Sequence, residues 1–442
     1  MDRPLISTLF ALVLLGCGSD DGGAAGKASG GASGASGAGG NGGGGSGGTD
    51  AGEAGASGSS GNGSGSAGGA GGNGGASGSA GSAGTPGVSS IGPQSVVPTS
   101  LSQGTIFAAP KGSGNACSEA SPCDIWTAMN QASGGDVVFL RGGTYAIGKN
   151  LYFSTQASQS SPLVVESYPG ESAVLDGSQH AKGTQIYVRV TGKFVHLRRL
   201  EVKNMPMQGI WIGGTDNVLD GVHAHHNGLS GIQIFSPYED FPYGAKGSRN
   251  TLRNCTTNDN SGAGIFDAEF ANGGNSDGIS ISSGADNRVE NCLVYGNSDD
   301  GIDTWRSTNT YVGYSISYAN GIADGNGQGI KAGGQPPSAD TVVERCLSYS
   351  NKASGIDFNS AKNATFLNNT TWDNQLGFSL GKDTGVTGNI AAESKNAGNG
   401  IPKDNSWQRS GSVTFISTNP KSNDFLKPTV GGGFEDIGAH AP

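Results

Sequence analysis

Asn275-Ser276-Asp277-Gly278-Ile279-Ser280, Asn297-Ser298-Asp299-Asp300-Gly301-Ile302-Asp303 and Gly325-Asn326-Gly327-Gln328-Gly329-Ile330-Lys331 are near-copies of one pattern: a polar residue, Gly, Ile, then another polar residue. Side chains alternate along a strand, so an inward Ile sends the residue after it outward. Alignment of the copies places Asp277 beside Asp300. It puts Ser280, Asp303, Lys331 and Asp357 in one outward column, with Asp299 at the same corner. Four carboxylates converging on one spot repel one another unless a cation joins them, and hard oxygen donors at this density suit Ca²⁺. Aspartate also satisfies turn backbone at solenoid corners, and a lysine between acids can be a surface ion-pair ladder worth little. Four acids plus Lys331, each set in the Gly-rich pattern, favour the metal reading.

The rest of the chain divides sharply by composition. Of its 442 residues 81 are Gly, and aromatics are 7%. Residues 18–98 are almost wholly Gly, Ala and Ser with no strict period of three, which excludes collagen and describes a flexible linker. Residues 99–442 are long enough for one large core. The net charge of −10 shows no basic patch and argues against a nucleic-acid partner. It also sets the chain against an acidic polysaccharide, a conflict that a bound divalent cation resolves locally.

Residues 1–17 carry Arg3, an apolar run from Leu5 to Leu15, and Leu14-Leu15-Gly16-Cys17. This has the form of a signal peptide whose end resembles a bacterial lipobox, with Cys17 as the lipidated residue. The run is too short to span a bilayer. The expectation is an exported protein, secreted or held at a membrane surface by an N-terminal lipid alone, and monomeric. Cys117 and Cys123 are six residues apart, and export makes a small-loop disulfide reasonable.

Asn204, Asn227, Asn260, Asn297, Asn320, Asn351 and Asn374 follow at intervals of 23, 33, 37, 23, 31 and 23. The long intervals read as the same unit carrying an inserted loop. Short β segments such as Phe194-Val195-His196-Leu197, Ile232-Gln233-Ile234 and Thr341-Val342-Val343 recur between Gly, Asn, Asp and Ser. A strand-rich unit with Asn stacked on Asn predicts an all-β parallel β-helix. Cys255, Cys292 and Cys346 each stand five residues before a repeating Asn, and are read as an inward stack of core thiols. Trp126 to Ala132 is predicted to be a short helix capping the N-terminal end. The tail after Asn396 is expected to fold back along the coils.

The Asn297–Asp303 and Gly325–Gly334 segments resemble the two signatures of polysaccharide lyase family 9, the pectate lyases, and Asn275-Ser276-Asp277-Gly278 resembles a third, upstream one. The resemblance covers about 104 to 400. It implies a right-handed parallel β-helix that cleaves pectate by Ca²⁺-dependent β-elimination to 4,5-unsaturated oligogalacturonides. It implies Asp277, Asp299, Asp300 and Asp303 as calcium ligands and Lys331 as the base. The small residues after Gly278 depart from the bulkier or basic ones expected there, which bears on substrate preference. Arg306 and Lys352 are candidate substrate-binding residues by nearness. The alternatives are a lyase on another uronate, a polygalacturonase hydrolase and a non-catalytic carbohydrate-binding solenoid. None of the six histidines stands in the Gly-His-Gly context expected of the hydrolase.

Overall fold

The computed structural model describes residues 90–236, 247–265 and 273–442. Three parallel sheets wrap one apolar core. A 12-stranded sheet runs from Ile106–Ala108 to Ile401–Lys403. A 10-stranded sheet runs from Gly143–Ala146 to Ile390–Ala392. The third sheet, also of 10 strands, runs from Leu151–Phe153 to Lys395–Ala397. In each sheet the strand of one coil pairs with the equivalent strand of the next, as Ile279↔Ile302 and Ile302↔Ile330 illustrate. This is the β-helix that the repeat predicts. The alternating residues Ile210, Ile232, Ile279, Ile302, Ile330 and Ile356 are fully buried and stack down the lumen of the third sheet. Full burial of a side chain of this size contributes about 1.5–3 kcal/mol.

The one α-helix among the described residues is Ile125–Gln131. Asp124 caps it by accepting from the Thr127 N–H at 3.0 Å, and Ile125 and Ala128 are its buried face. It packs over the first coil, where the predicted cap belongs. Cys117 and Cys123 are joined in a disulfide beside it, while Cys255, Cys292 and Cys346 are buried free thiols.

A ladder of side-chain amides fixes the register. Asn227, Asn260, Asn297, Asn320 and Asn351 each donate through Nδ2 to the next Asn Oδ1, at 2.9–3.0 Å. Asn204 does not join it. It occupies the left-handed corner one residue earlier (φ 52°), in line with His226 and Asp259, and Met205 takes the ladder position by donating its N–H to Asn227 Oδ1. A one-residue left-handed corner also separates the first two sheets in coil after coil, at Arg199, Asn254, Asn291, Tyr314, Arg345 and Asn368.

The boundary expected at 98/99 falls too late. Ser90 to Thr99 lie against the solenoid as a strap that passes the coils in reverse order. The Gly92 N–H donates to Tyr314 O, the Gln94 N–H to Asn254 Oδ1, and the Thr99 N–H to Glu166 Oε1, while Arg198 Nη2 donates to Val97 O. At the other end the tail does fold back. Phe425, Leu426 and Ala439 pack against Leu347 and Tyr349, and Phe434 and Ile437 pack against Ile390. The leader, Cys17 and most of the 18–98 linker lie outside the described residues.

Candidate active site

Two outward columns on the third sheet carry acids in adjacent coils and are both acidic in the coil of Asp300 and Asp303. The residue after each motif Ile gives the column Gln233, Ser280, Asp303, Lys331, Asp357. The residue before each motif Gly gives Ser230, Asp277, Asp300, Gln328. The motif glycines are forced by packing. A Cβ on Gly278 would overlap Val294, and one on Gly301 or Gly329 would overlap the Ser317 or Ser348 hydroxyl. At these three glycines the backbone of the third sheet lies tightly against the second sheet across the lumen.

Asp277, Asp300 and Asp303 are buried and each offers an oxygen within 4.8 Å of the others. Backbone N–H groups hold the other oxygens in place: Asp300 N–H donates to Asp277 Oδ1 (3.2 Å), Gln328 N–H to Asp300 Oδ1 (2.7 Å) and Trp305 N–H to Asp303 Oδ1 (2.9 Å). What remains is a set of inward-turned oxygens. Asp277 Oδ2 is buried with no donor, and Asp300 Oδ2 has only the ammonium of Lys331, 3.2 Å away. Lys331 Nζ also lies 3.3 Å from Asp303 Oδ2, and the residue is 4% exposed. Orphaned, pre-oriented carboxylate oxygens at this spacing fit a hard cation such as Ca²⁺.

Asp299 differs from its three neighbours. Its oxygens accept the N–H groups of Asn275 (2.6 Å) and Asn326, so it ties two loops together beside the pocket. Each of its oxygens keeps a lone pair that these N–H groups do not use. The structure thus brings together three of the four expected acids, with the fourth adjacent and engaged.

Burial raises the Asp277 carboxyl well above the usual range, and the charges of Asp303, Asp299 and Asp300 add to this. Asp300 is also raised well above it by burial, against the pull of Lys331. Burial lifts Asp303 to about 6, with Lys331 opposing. For Lys331, burial favours the neutral amine, but Asp303, Asp300, Asp299 and Asp277 outweigh it and hold the ammonium charged. Without a metal, the amine is the site's only counter-charge among the described residues.

Arg306 lies next to the site, its guanidinium 4.3 Å from the Trp305 ring centroid and hydrogen-bonded to Gln335. Lys352 is turned away from the columns and donates to Ala323 O (3.0 Å) and Gly325 O (2.9 Å), pinning the loop before Asn326. Two residues given no role by the sequence stand at the pocket. Gln328 Oε1 is buried without a donor, and Trp305 Nε1 is buried without an acceptor. Gln328 was findable, since it occupies the place of Asp277 and Asp300 in the third copy of the motif.

The acid pocket and its buried amine lie on one outer face of stacked coils, and relatives of this chain are polysaccharide lyases. The family described as "Pel9A-like, right handed beta helix region" matches residues 106–399. The chain belongs to that family. Pectate lyase L of Paenibacillus polymyxa is 29% identical over 360 residues, covering 74% of this chain and 78% of the relative. Pectate lyase L of Dickeya chrysanthemi is 29% identical over 342 residues, covering 72% and 74%. The crystal structure of pectate lyase Pel9A superposes with a TM-score of 0.64 at 23% identity, covering 74% of this chain and 90% of that one. A rhamnogalacturonan lyase superposes with a TM-score of 0.62 at 20% identity, covering 76% and 100%, a likeness of fold.

Proposed function

We propose that the protein is a calcium-dependent pectate lyase that cleaves polygalacturonate by β-elimination, leaving 4,5-unsaturated oligogalacturonides. One observation carries this reading: carboxylate oxygens of Asp277, Asp300 and Asp303 converge from adjacent coils with the Lys331 amine in contact with two of them. The relatives named pectate lyase support the substrate. Asp277, Asp300 and Asp303 would hold a calcium ion, which would offset part of the negative charge of these acids and of a uronate carboxylate bound beside them.

The chain's own residues do the rest. The acids fix where the uronate carboxylate sits, and hence where its C5 proton points. Lys331, relieved of its anionic neighbours and still buried, becomes a neutral amine, because burial alone lowers an ammonium pKa. Its Nζ takes the C5 proton. The electron pair of that C–H bond forms the C4–C5 double bond as the C4–O bond breaks, and the glycosidic oxygen leaves with its pair. On the strength of the leader and Cys17, the enzyme works outside the cytoplasm, held by a lipid anchor or secreted.

The test is polygalacturonate with calcium or a chelator, followed by the ultraviolet absorbance of unsaturated ends. Wild type produces that absorbance only with calcium. Lys331→Ala loses about 10³-fold or more of it, the scale of a general base, and still binds calcium by titration calorimetry. Reducing ends that appear without absorbance would identify a hydrolase instead.

A further inference from the structure

The column that holds Asp303 and Lys331 does not end at the acid pocket. Toward the N-terminal coils it continues as Ser280, Gln233, Trp211, Arg189 and Tyr152. Arg189 and Lys331 are the two cations of this column. The Arg189 guanidinium sits in the corner formed by two edge-to-face rings, 4.1 Å from the Tyr187 centroid and 4.0 Å from that of Trp211. The Trp211 ring is fixed in turn, because its Nε1 donates to Phe235 O at 2.7 Å. No carboxylate among the described residues pairs with Arg189, and its Nε is buried without an acceptor. In a chain of net charge −10, a rigid, partly desolvated guanidinium left without an anion, on the face that carries the site, stands out. One coil further on, Tyr152 is 42% exposed.

We propose that Arg189, with Tyr152 beside it, forms a distal subsite that binds the carboxylate of a uronate in the chain being cleaved. This rests on the pectate reading for the identity of the sugar. A planar guanidinium packed against two aromatic rings loses little rotamer entropy on binding and grips a carboxylate through two parallel N–H donors. The exposed tyrosine offers an apolar ring to the face of the neighbouring sugar. Five coil steps separate Arg189 from Lys331, about 24 Å at about 4.8 Å per coil. A 1→4-linked pyranose in an extended chain advances by nearly one coil, so a substrate of about six sugars reaches both residues. Shorter substrates reach one or the other. The subsite therefore makes the enzyme prefer long chains.

The competing role for Arg189 is as packing for the apolar cluster of Tyr187, Met207, Trp211, Leu229 and Phe235. Arg189→Met keeps the packing volume and removes the charge, and Arg189→Lys keeps the charge. With tri- and octagalacturonate compared by initial rate, Arg189→Met lowers the octamer-over-trimer ratio of kcat/KM about ten-fold, through KM. Arg189→Lys restores part of that ratio. Binding of octagalacturonate, measured by calorimetry in the Lys331→Ala background, weakens by a similar factor with Arg189→Met. A ratio unchanged by Arg189→Met, or both substrates impaired equally, overturns the subsite. If wild type cleaves neither oligomer, the lyase reading falls and the calorimetry alone decides. Arg189-dependent octamer binding then upholds the subsite, and Arg189-independent binding or none refutes it.

Discussion

Asp277, Asp300 and Asp303 are buried acids with one amine among them, which costs stability at pH values where they ionise. A carboxyl whose folded pKa is raised contributes stability that is complete below its unfolded pKa and is lost as pH rises through the folded one. For Asp303 that window runs from 3.8 to about 6, and Asp277 and Asp300 shift in the same direction. The chelated protein is therefore expected to melt at a lower temperature at pH 7.5 than at pH 5, as far as this cluster is concerned. Calcium, which requires the acids ionised, raises the melting temperature more at pH 7.5 than at pH 5. Scanning calorimetry with calcium and with chelator reads both, and an equal calcium shift at the two pH values would count against this site. Asp277→Asn removes one of the repelling charges. It should stabilise the chelated protein at pH 7.5, abolish most of the calcium shift and lower activity about 100-fold or more. The acids and the lysine were legible because a repeat turns sequence distance into a known spatial step. The loop-tying role of Asp299 was not, since only the folded loops bring the Asn275 and Asn326 N–H groups to it. Arg189 escaped notice because its strand, Val188–Val190, lacks the Gly-Ile pattern that marked the others.

At the scale of the coil, the Asn ladder and the motif glycines do separate work. The glycines allow the coils to close, and the ladder sets which residue faces which. Asn297 accepts from both the N–H and the Nδ2 of Asn260 and donates its own N–H and Nδ2 to Asn320. Asn297→Ala keeps the backbone N–H on Asn320 but takes the side-chain acceptor from the Asn260 N–H and Nδ2, and is expected to cost about 3 kcal/mol, the scale of one or two buried polar groups left unpaired, measurable by urea unfolding. A loss under 0.5 kcal/mol would show that the backbone ladders alone hold the register. The period of the asparagines gave away this element, but its first member was misplaced. Asn suits both a left-handed corner and an interior ladder, and residue type alone does not say which of two adjacent positions Asn204 takes.

Across the whole molecule, the two ends of the described chain are fastened over the solenoid in different ways. The tail is held by apolar packing together with hydrogen bonds such as those from Arg345 to Ala441 O and Pro442 O, whereas the strap is held mostly by single hydrogen bonds spread over successive coils. The strap was illegible because Ser90 to Thr99 has neither the alternation of a strand nor the repeat of a coil. Its last anchor meets Glu166, a fully buried acid that also faces Arg198 at 3.5 Å and Arg199 at 3.3 Å. A chain beginning at Leu101 leaves Glu166 Oε1 without the Thr99 donor. It is expected to unfold about 1–3 kcal/mol more easily than one beginning at Ser90, and equal stability would make the strap an ornament. The direction of the strap also has a mechanical consequence. A pull on Ser90 loads its attachments one after another, from the coil of Tyr314 toward that of Glu166, in the geometry of a zip fastener opening. Tension arriving along the chain would peel away ten residues, about 33 Å of slack at about 3.3 Å each, before any coil felt the force.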